Sequence, residues 1–162
     1  MGKIEIRAEA RSKADAARVF ALLKDGATWP RWSLFDGFEL ERRGRSDPLG
    51  VGAIRVFTTK ISRAREEVVE IVPDRRLSYI LLSGFPLRDY RADVDLEALP
   101  GGGTLICWQS SFYVKHAGTG WFWRLFLRKA IGDVARQLAK AAEDPAMVAA
   151  CAVPPTTAAA RA

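Results

Sequence analysis

The chain is predicted to fold as an α+β domain in which an antiparallel, seven-stranded curved sheet wraps a long C-terminal helix, with two short helices after the first strand. Three observations predict it. Residues 65–112 read as consecutive strands separated by turn residues, residues 121–143 carry an apolar stripe at helical spacing, and a Trp-Pro-x-Trp segment at 29–32 lies between the first strand and the later ones. A sheet bent around a helix leaves apolar space between its concave face and the helix, so the layout points to a pocket.

The elements follow in order. Residues 3–11 alternate, with Ile4, Ile6, Ala8 and Ala10 on one side and Glu5, Arg7, Glu9 and Arg11 on the other, which describes a half-buried strand. Ser12 is expected to cap a short helix in which Ala16, Val19, Phe20 and Leu23 recur at helical spacing, and Asp25-Gly26 supplies the stop. A second short helix or turn is expected through 27–34, because Pro30 suits a first helical turn and Trp29, Trp32 and Phe35 are costly to leave in water.

From Gly37 the pattern becomes strands, at 38–43, 53–62 and 63–72, with the last stopped by Pro73-Asp74. Residues 77–83 are nearly all apolar, as expected of a central strand covered on both faces. Residues 88–99 alternate, with Tyr90, Ala92, Val94 and Leu96 inward, and Pro100 to Gly103 makes a hairpin turn. The strand 104–114 puts Ile106, Trp108, Ser110 and Phe112 on one face. The final helix, 121–143, carries Trp123, Leu127, Ala130, Ile131, Val134, Leu138 and Ala141 toward the sheet. Beyond Asp144-Pro145 the Ala-, Pro- and Thr-rich sequence reads as a flexible or disordered tail, so the domain is expected at 1–143 and the tail at 144–162.

Composition bounds the function classes. With 162 residues, 49% hydrophobic and 27% charged, the chain suits one globular core. No apolar run approaches the roughly 18 residues that cross a bilayer, and MGKIEIRAEA is charged and strand-like, so a cytoplasmic protein with no integral membrane segment is expected. Cys107 and Cys151 are far apart and lack metal or redox spacing, which makes free thiols the expectation. The net charge of +6 comes from 18 arginines against 7 lysines spread over different elements and interrupted by carboxylates. That pattern describes a solvated basic surface and no nucleic-acid partner. Oligomeric state is left open.

The segments FALLKDGATWPRWS, REEVVEIVPDRRLSYILLSG and GGGTLICWQSSF, with LAKAAED in the final helix, together resemble the polyketide cyclase/dehydrase-like branch of the START and plant-allergen (SRPBCC) superfamily over about residues 3–143. The most specific parts are Trp29-Pro30-x-Trp32, the run around Pro73 from Glu70 to Leu77, and Gly-Gly-Thr-x-x-x-Trp from Gly102 to Trp108. The resemblance implies the helix-grip fold and an internal cavity for a lipid, sterol, polyketide or other apolar small molecule. It implies enzymatic activity in some branches only.

Catalytic motifs are scarce. His116 is the chain's one histidine and stands in a Lys-His-Ala-Gly-Thr-Gly loop with no nucleophile elbow, which makes it a surface residue and no catalytic base. One His and two distant Cys supply no metal site, and the triple glycine at 101–103 is followed by neither a Lys nor a helix, so it makes a hairpin and no phosphate cradle. No cofactor is expected. Acid/base candidates for a cofactor-free cyclase or dehydratase are Glu67, Asp89, Tyr90, Arg91 and Ser110, with Tyr90 foremost because its inward phase buries a hydroxyl among apolar neighbours.

The aromatic residues carry the binding case. The expected ligand-binding set is Trp29, Trp32, Phe57, Tyr79, Phe85, Tyr90, Trp108, Phe112, Trp121, Phe122 and Leu125, with Phe85, Trp121 and Phe122 at the mouth. The leading expectation is therefore a binder of a hydrophobic small molecule, with the cyclase or dehydratase second. A protein or membrane contact through Trp121-Phe122-Trp123 is third, because three consecutive rings at about 100° per residue cannot all face one core.

Overall fold

The computed structural model describes residues 2–152. Its strands are β1 (Ile4–Ser12), β2 (Gly37–Arg42), β3 (Ile54–Thr58), β4 (Arg63–Val72), β5 (Arg76–Ser83), β6 (Leu87–Ala98) and β7 (Thr104–Val114), all antiparallel, in the spatial order β1-β7-β6-β5-β4-β3-β2. The helices are α1 (Ala16–Lys24), α2 (Trp29–Trp32), α3 (Gly120–Ala141) and α4 (Pro145–Ala149). Strands adjacent in sequence pair as hairpins from β2 to β7, and the first strand closes the order by pairing with the last, Ile4 opposite Phe112 and Ala10 opposite Ile106.

Period-2 alternation sets which face is concave. Tyr90, Ala92, Val94 and Leu96 of β6 and Ile106, Trp108, Ser110 and Phe112 of β7 are all buried, and the apolar ones meet α3 in one hydrophobic core. Across from them α3 presents Leu127, Ile131, Val134, Ala135, Leu138 and Ala139. The helix lies against β1 and β7, toward one edge of the sheet. The concave face over β3 to β6 is therefore less completely covered, and this offset is what makes room for a cavity.

Four local expectations are corrected. Ser12 ends β1 and does not cap α1: its hydroxyl donates to the Ala139 carbonyl at 2.6 Å, and Asp15 caps the helix by accepting from the Arg18 amide at 2.9 Å. The expected strand at 53–62 stops at Thr58, because the Thr59 side chain accepts the Ser62 amide at 3.1 Å and closes a turn. β5 is central in the sheet, but its convex face is covered only in part: Leu77 and Tyr79 are buried inward and Ser78 is buried on the convex side, where it donates to Asp93 at 2.6 Å, while Leu82 further along that side is exposed. The expected tail begins with structure: Asp144 caps α4, Val148 and Cys151 are buried in the main core, and the Ala152 amide donates to Asp25 at 2.7 Å. Residues 153–162 of that expectation lie outside the described residues.

Asp25 is buried, and it is a junction. Its side chain accepts the Ala27 amide at 3.1 Å and starts a 3-10 turn over Gly26–Thr28, which α2 continues with Pro30 in its first turn. Trp29 is thereby carried into the core, its indole N–H donating to the Leu22 carbonyl at 3.0 Å.

Candidate functional site

Between the concave face and α3 lies a cavity of about 620 Å³. Its walls come from α2 and the segment after it (Trp29, Leu34, Phe35), from the sheet (Phe57, Tyr79, Tyr90, Trp108) and from α3 (Phe126, Leu127, Ile131). Its exposed rim includes Ile61 and Lys60 on the β3–β4 turn and Lys129 on α3. A second depression, of about 650 Å³, runs between β1 and the end of α3 and is lined largely by the exposed charges Glu9, Arg11, Arg136, Lys140 and Glu143. It is a solvent-facing groove, and the apolar cavity is the candidate site.

Of the residues expected to line a pocket, Trp29, Phe57, Tyr79, Phe85, Tyr90 and Trp108 do so. Trp32, Phe112, Trp121, Phe122 and Leu125 do not. Trp32 packs behind Trp29, with ring centroids 5.1 Å apart, and donates its indole N–H to the Thr28 hydroxyl. Phe112 is fully buried and stacks on Tyr90 at 6.0 Å without itself lining the cavity. Trp121, Phe122 and Leu125 are exposed because α3 turns the Trp123, Leu127, Ile131 and Val134 stripe toward the sheet, and at about 100° per residue those three positions face outward. Only Trp123 of the three consecutive aromatics turns inward, edge-on to Phe85 at 5.9 Å.

Polar groups are few and each has a defined environment. The Tyr90 hydroxyl lies 3.0 Å from that of Ser110 on the neighbouring strand. Burial pushes its pKa up to about 12, only partly offset by the Ser110 hydrogen bond, so the phenol stays neutral near pH 7 and can donate a hydrogen bond. Tyr79 is raised well above its ordinary value, again chiefly by burial. Trp108, edge-on to Tyr79 at 6.3 Å, has a buried indole N–H with no partner among the described residues.

A buried ion pair underlies this wall. Arg55 is fully enclosed, donates one guanidinium N–H to the Leu23 carbonyl at 3.0 Å and another to the Glu66 carboxylate, and lies over Trp29, Phe57 and Tyr79 at 5.3–5.7 Å from their ring centres. Glu66 reaches the cavity lining, and burial raises its carboxyl above the usual range against the opposing pull of Arg55. Glu67, the acidic residue expected at this place, faces the other side and pairs with Arg42 at 3.0 Å. Asp89 is exposed at a strand irregularity with φ of 51°, and Arg91 pairs outward with Glu70 and Asp93 at 3.0 and 2.8 Å. Glu66 and Arg55 were not singled out from sequence. The signal for Glu66 was present: Ala64 and Val68 share its phase, so a charge between them on β4 has to point inward.

No group of three or more His, Cys, Asp or Glu side chains placed to hold a metal occurs among the described residues. Among the same residues no helix is long and apolar enough to cross a membrane.

Solved structures share the fold. The XoxI protein of Bacillus cereus superposes with a TM-score of 0.68 at 17% identity, covering 89% of this chain and 97% of its own. Ara h 8.0201 gives 0.70 at 18%, covering 88% and 99%, and an uncharacterised protein of Bacillus thuringiensis gives 0.70 at 17%, covering 87% and 100%. No curated protein is significantly similar in sequence. Identities this low establish architecture alone. The family is established by sequence: residues 3–143 match the model described as polyketide cyclase/dehydrase and lipid transport, a span that contains every wall of the cavity, and the chain belongs to that family.

Proposed function

We propose that the protein binds one hydrophobic small molecule, of lipid, sterol or polyketide class, in the cavity between sheet and α3, and that binding without turnover is its activity. The observation that carries this reading is the cavity wall. A volume of about 620 Å³ falls within the roughly 300–1,000 Å³ of small-molecule sites. Its lining is dominated by aromatic and aliphatic side chains, and two of its few buried polar groups are already engaged from behind, Glu66 by Arg55 and Tyr90 by Ser110, which leaves the Trp108 indole N–H as the one buried donor without a partner among the described residues of that wall. A wall of this kind rewards apolar surface and leaves little demand for a charged guest.

The test uses native mass spectrometry of freshly purified protein for a co-purifying molecule, and titration with a neutral fluorescent probe such as 1-aminoanthracene. Saturable probe binding that fatty acids, sterols or polycyclic aromatics displace is expected, and Ala130→Trp, which pushes an indole into the cavity from α3, should abolish it. Probe binding that is absent, or indifferent to Ala130→Trp, removes the reading.

One observation favours a second reading, a cofactor-free cyclase or dehydratase. Tyr90 is a neutral donor on the cavity wall, and Glu66 is a carboxyl of raised pKa on the same wall. In that reading Tyr90 donates to a substrate carbonyl oxygen and Glu66, not Tyr90, accepts the proton. Incubation with a linear polyketone would show cyclised or dehydrated product, lost in Tyr90→Phe with probe binding retained.

A further inference from the structure

The first two turns of α3 expose a set of apolar side chains that no part of the fold covers. Trp121 is 69% exposed, Phe122 46%, Leu125 61% and Phe126 39%. Their rings form one continuous cluster: Trp121 is edge-on to Phe122 at 6.2 Å, and Phe122 stacks on Phe126 at 5.9 Å. A protein that stays monomeric in water seldom leaves such a group contiguous without a partner.

The patch continues into the cavity mouth. Phe126 belongs to the patch and to the cavity lining, and Ile61, 90% exposed at the tip of the β3–β4 turn, lines the same mouth. The charge around it is predominantly basic. Between Glu97 and Asp133 the sequence holds no carboxylate, while Lys115, Arg124, Arg128 and Lys129 fall in that interval and all four are exposed. Lys60 stands next to Ile61. The carboxylates facing this rim are Asp36 and Asp133, and Asp133 is engaged by Lys129 at 2.8 Å and by Arg136. Arg124 and Arg128 have no carboxylate partner among the described ion pairs.

We infer that this face, the first two turns of α3 together with the tip of the β3–β4 turn, docks onto the surface of an anionic lipid bilayer. Trp, Phe and Leu on one helical face, flanked by Arg and Lys, is the composition of helices that lie in the plane of the interface. The rings enter the headgroup and acyl boundary, and the cations meet the negative surface. Basic charge argues for an anionic bilayer over a second copy of this chain, since two copies meeting through this face would bring Arg124 and Arg128 against their own like charges. The docked cavity mouth then opens at the apolar boundary. That consequence rests on the cavity-binding reading, whereas the docking itself does not.

The full chain is mixed with phosphatidylcholine vesicles containing or lacking phosphatidylglycerol, and binding is read by co-sedimentation and by the shift of tryptophan emission. Binding to the anionic vesicles is expected, at least tenfold stronger than to pure phosphatidylcholine, and weakened by raising salt. Trp121→Ser/Leu125→Ser should reduce it at least tenfold with unchanged circular dichroism, since both side chains are solvent-facing. Arg124→Glu/Arg128→Glu should remove the preference for anionic lipid. Ala130→Trp should bind vesicles like the unaltered protein, which separates failure of docking from failure of the cavity reading. No vesicle binding, binding that both double substitutions leave intact, or concentration-dependent self-association abolished by Trp121→Ser/Leu125→Ser in the absence of vesicle binding would each overturn the inference.

Discussion

At the scale of single residues the cavity wall turns on Arg55 and Glu66. A guanidinium removed from water survives only because a carboxylate, a carbonyl and three aromatic faces replace its hydration, so the two charges depend on each other. Arg55→Met leaves Glu66 buried alone and should cost about 3–5 kcal/mol in urea unfolding, whereas Arg55→Met/Glu66→Leu should recover most of that loss. An additive double variant would mean that the two groups do not act as a pair. The raised carboxyl of Glu66 gives a second expectation with a definite sign. Between its unfolded value, near 4.5, and its higher folded value the native state binds more protons than the unfolded chain, so this group's contribution to stability falls as pH rises through that window. The stability difference between the unaltered protein and Glu66→Gln should therefore shrink from pH 4 toward neutrality in urea midpoints. A difference that grows instead would show that pairing with Arg55 outweighs burial. Tyr90 was legible as an inward hydroxyl because it shares the phase of Ala92, Val94 and Leu96, and β6 alternates regularly from Tyr90 onward, past the irregularity at Asp89. Glu66 was not, because Arg65-Glu66-Glu67 offers three consecutive charges and the inward one emerges only when the phase of Ala64 and Val68 is followed through them.

Elements whose signals are local were the ones predictable along the chain. β4 and β7 begin and end where period-2 alternation and turn residues place them, at Arg63–Val72 and Thr104–Val114, and α3 is off by a residue or two at its ends. The misplaced features depend on tertiary contacts. Ser12 looks like a helix cap until Ala139 claims its hydroxyl, and α4 looks like unanchored tail until Val148 and Cys151 find the core. The cavity mouth depends on one element junction in particular. Gly84, between β5 and β6, has φ of 121°, and a Cβ there would lie 2.7 Å from the Arg63 carbonyl oxygen at the start of β4. Gly84→Ala should destabilise the protein by roughly 1–3 kcal/mol and weaken probe binding, because the same junction sets Phe85 against Trp123 at the rim. Unchanged urea midpoint and probe affinity would show that the junction relaxes without disturbing the mouth.

At the scale of the whole molecule, the offset of α3 toward β1 and β7 governs both stability and binding. A helix centred on the sheet would close the core. Displaced, it leaves about 620 Å³ in which the lining side chains lack the contacts that a packed interior provides. The native protein is then less stable than its burial alone suggests, and anything that fills the space without binding the unfolded chain stabilises it by mass action. A ligand present at a hundred times its dissociation constant should add about 2.7 kcal/mol. For a domain of this size that corresponds to a rise in Tm of about 5–11 °C. Ala130→Trp makes the same argument covalently. Its indole enters the cavity from the helix side, so the free variant should melt no lower than the unaltered protein and its Tm should not respond to probe or lipid. Differential scanning fluorimetry with and without 1-aminoanthracene separates the outcomes. A variant that melts lower and still responds to probe would place the free volume elsewhere in the fold, and α3 would then be a closed lid over a packed core.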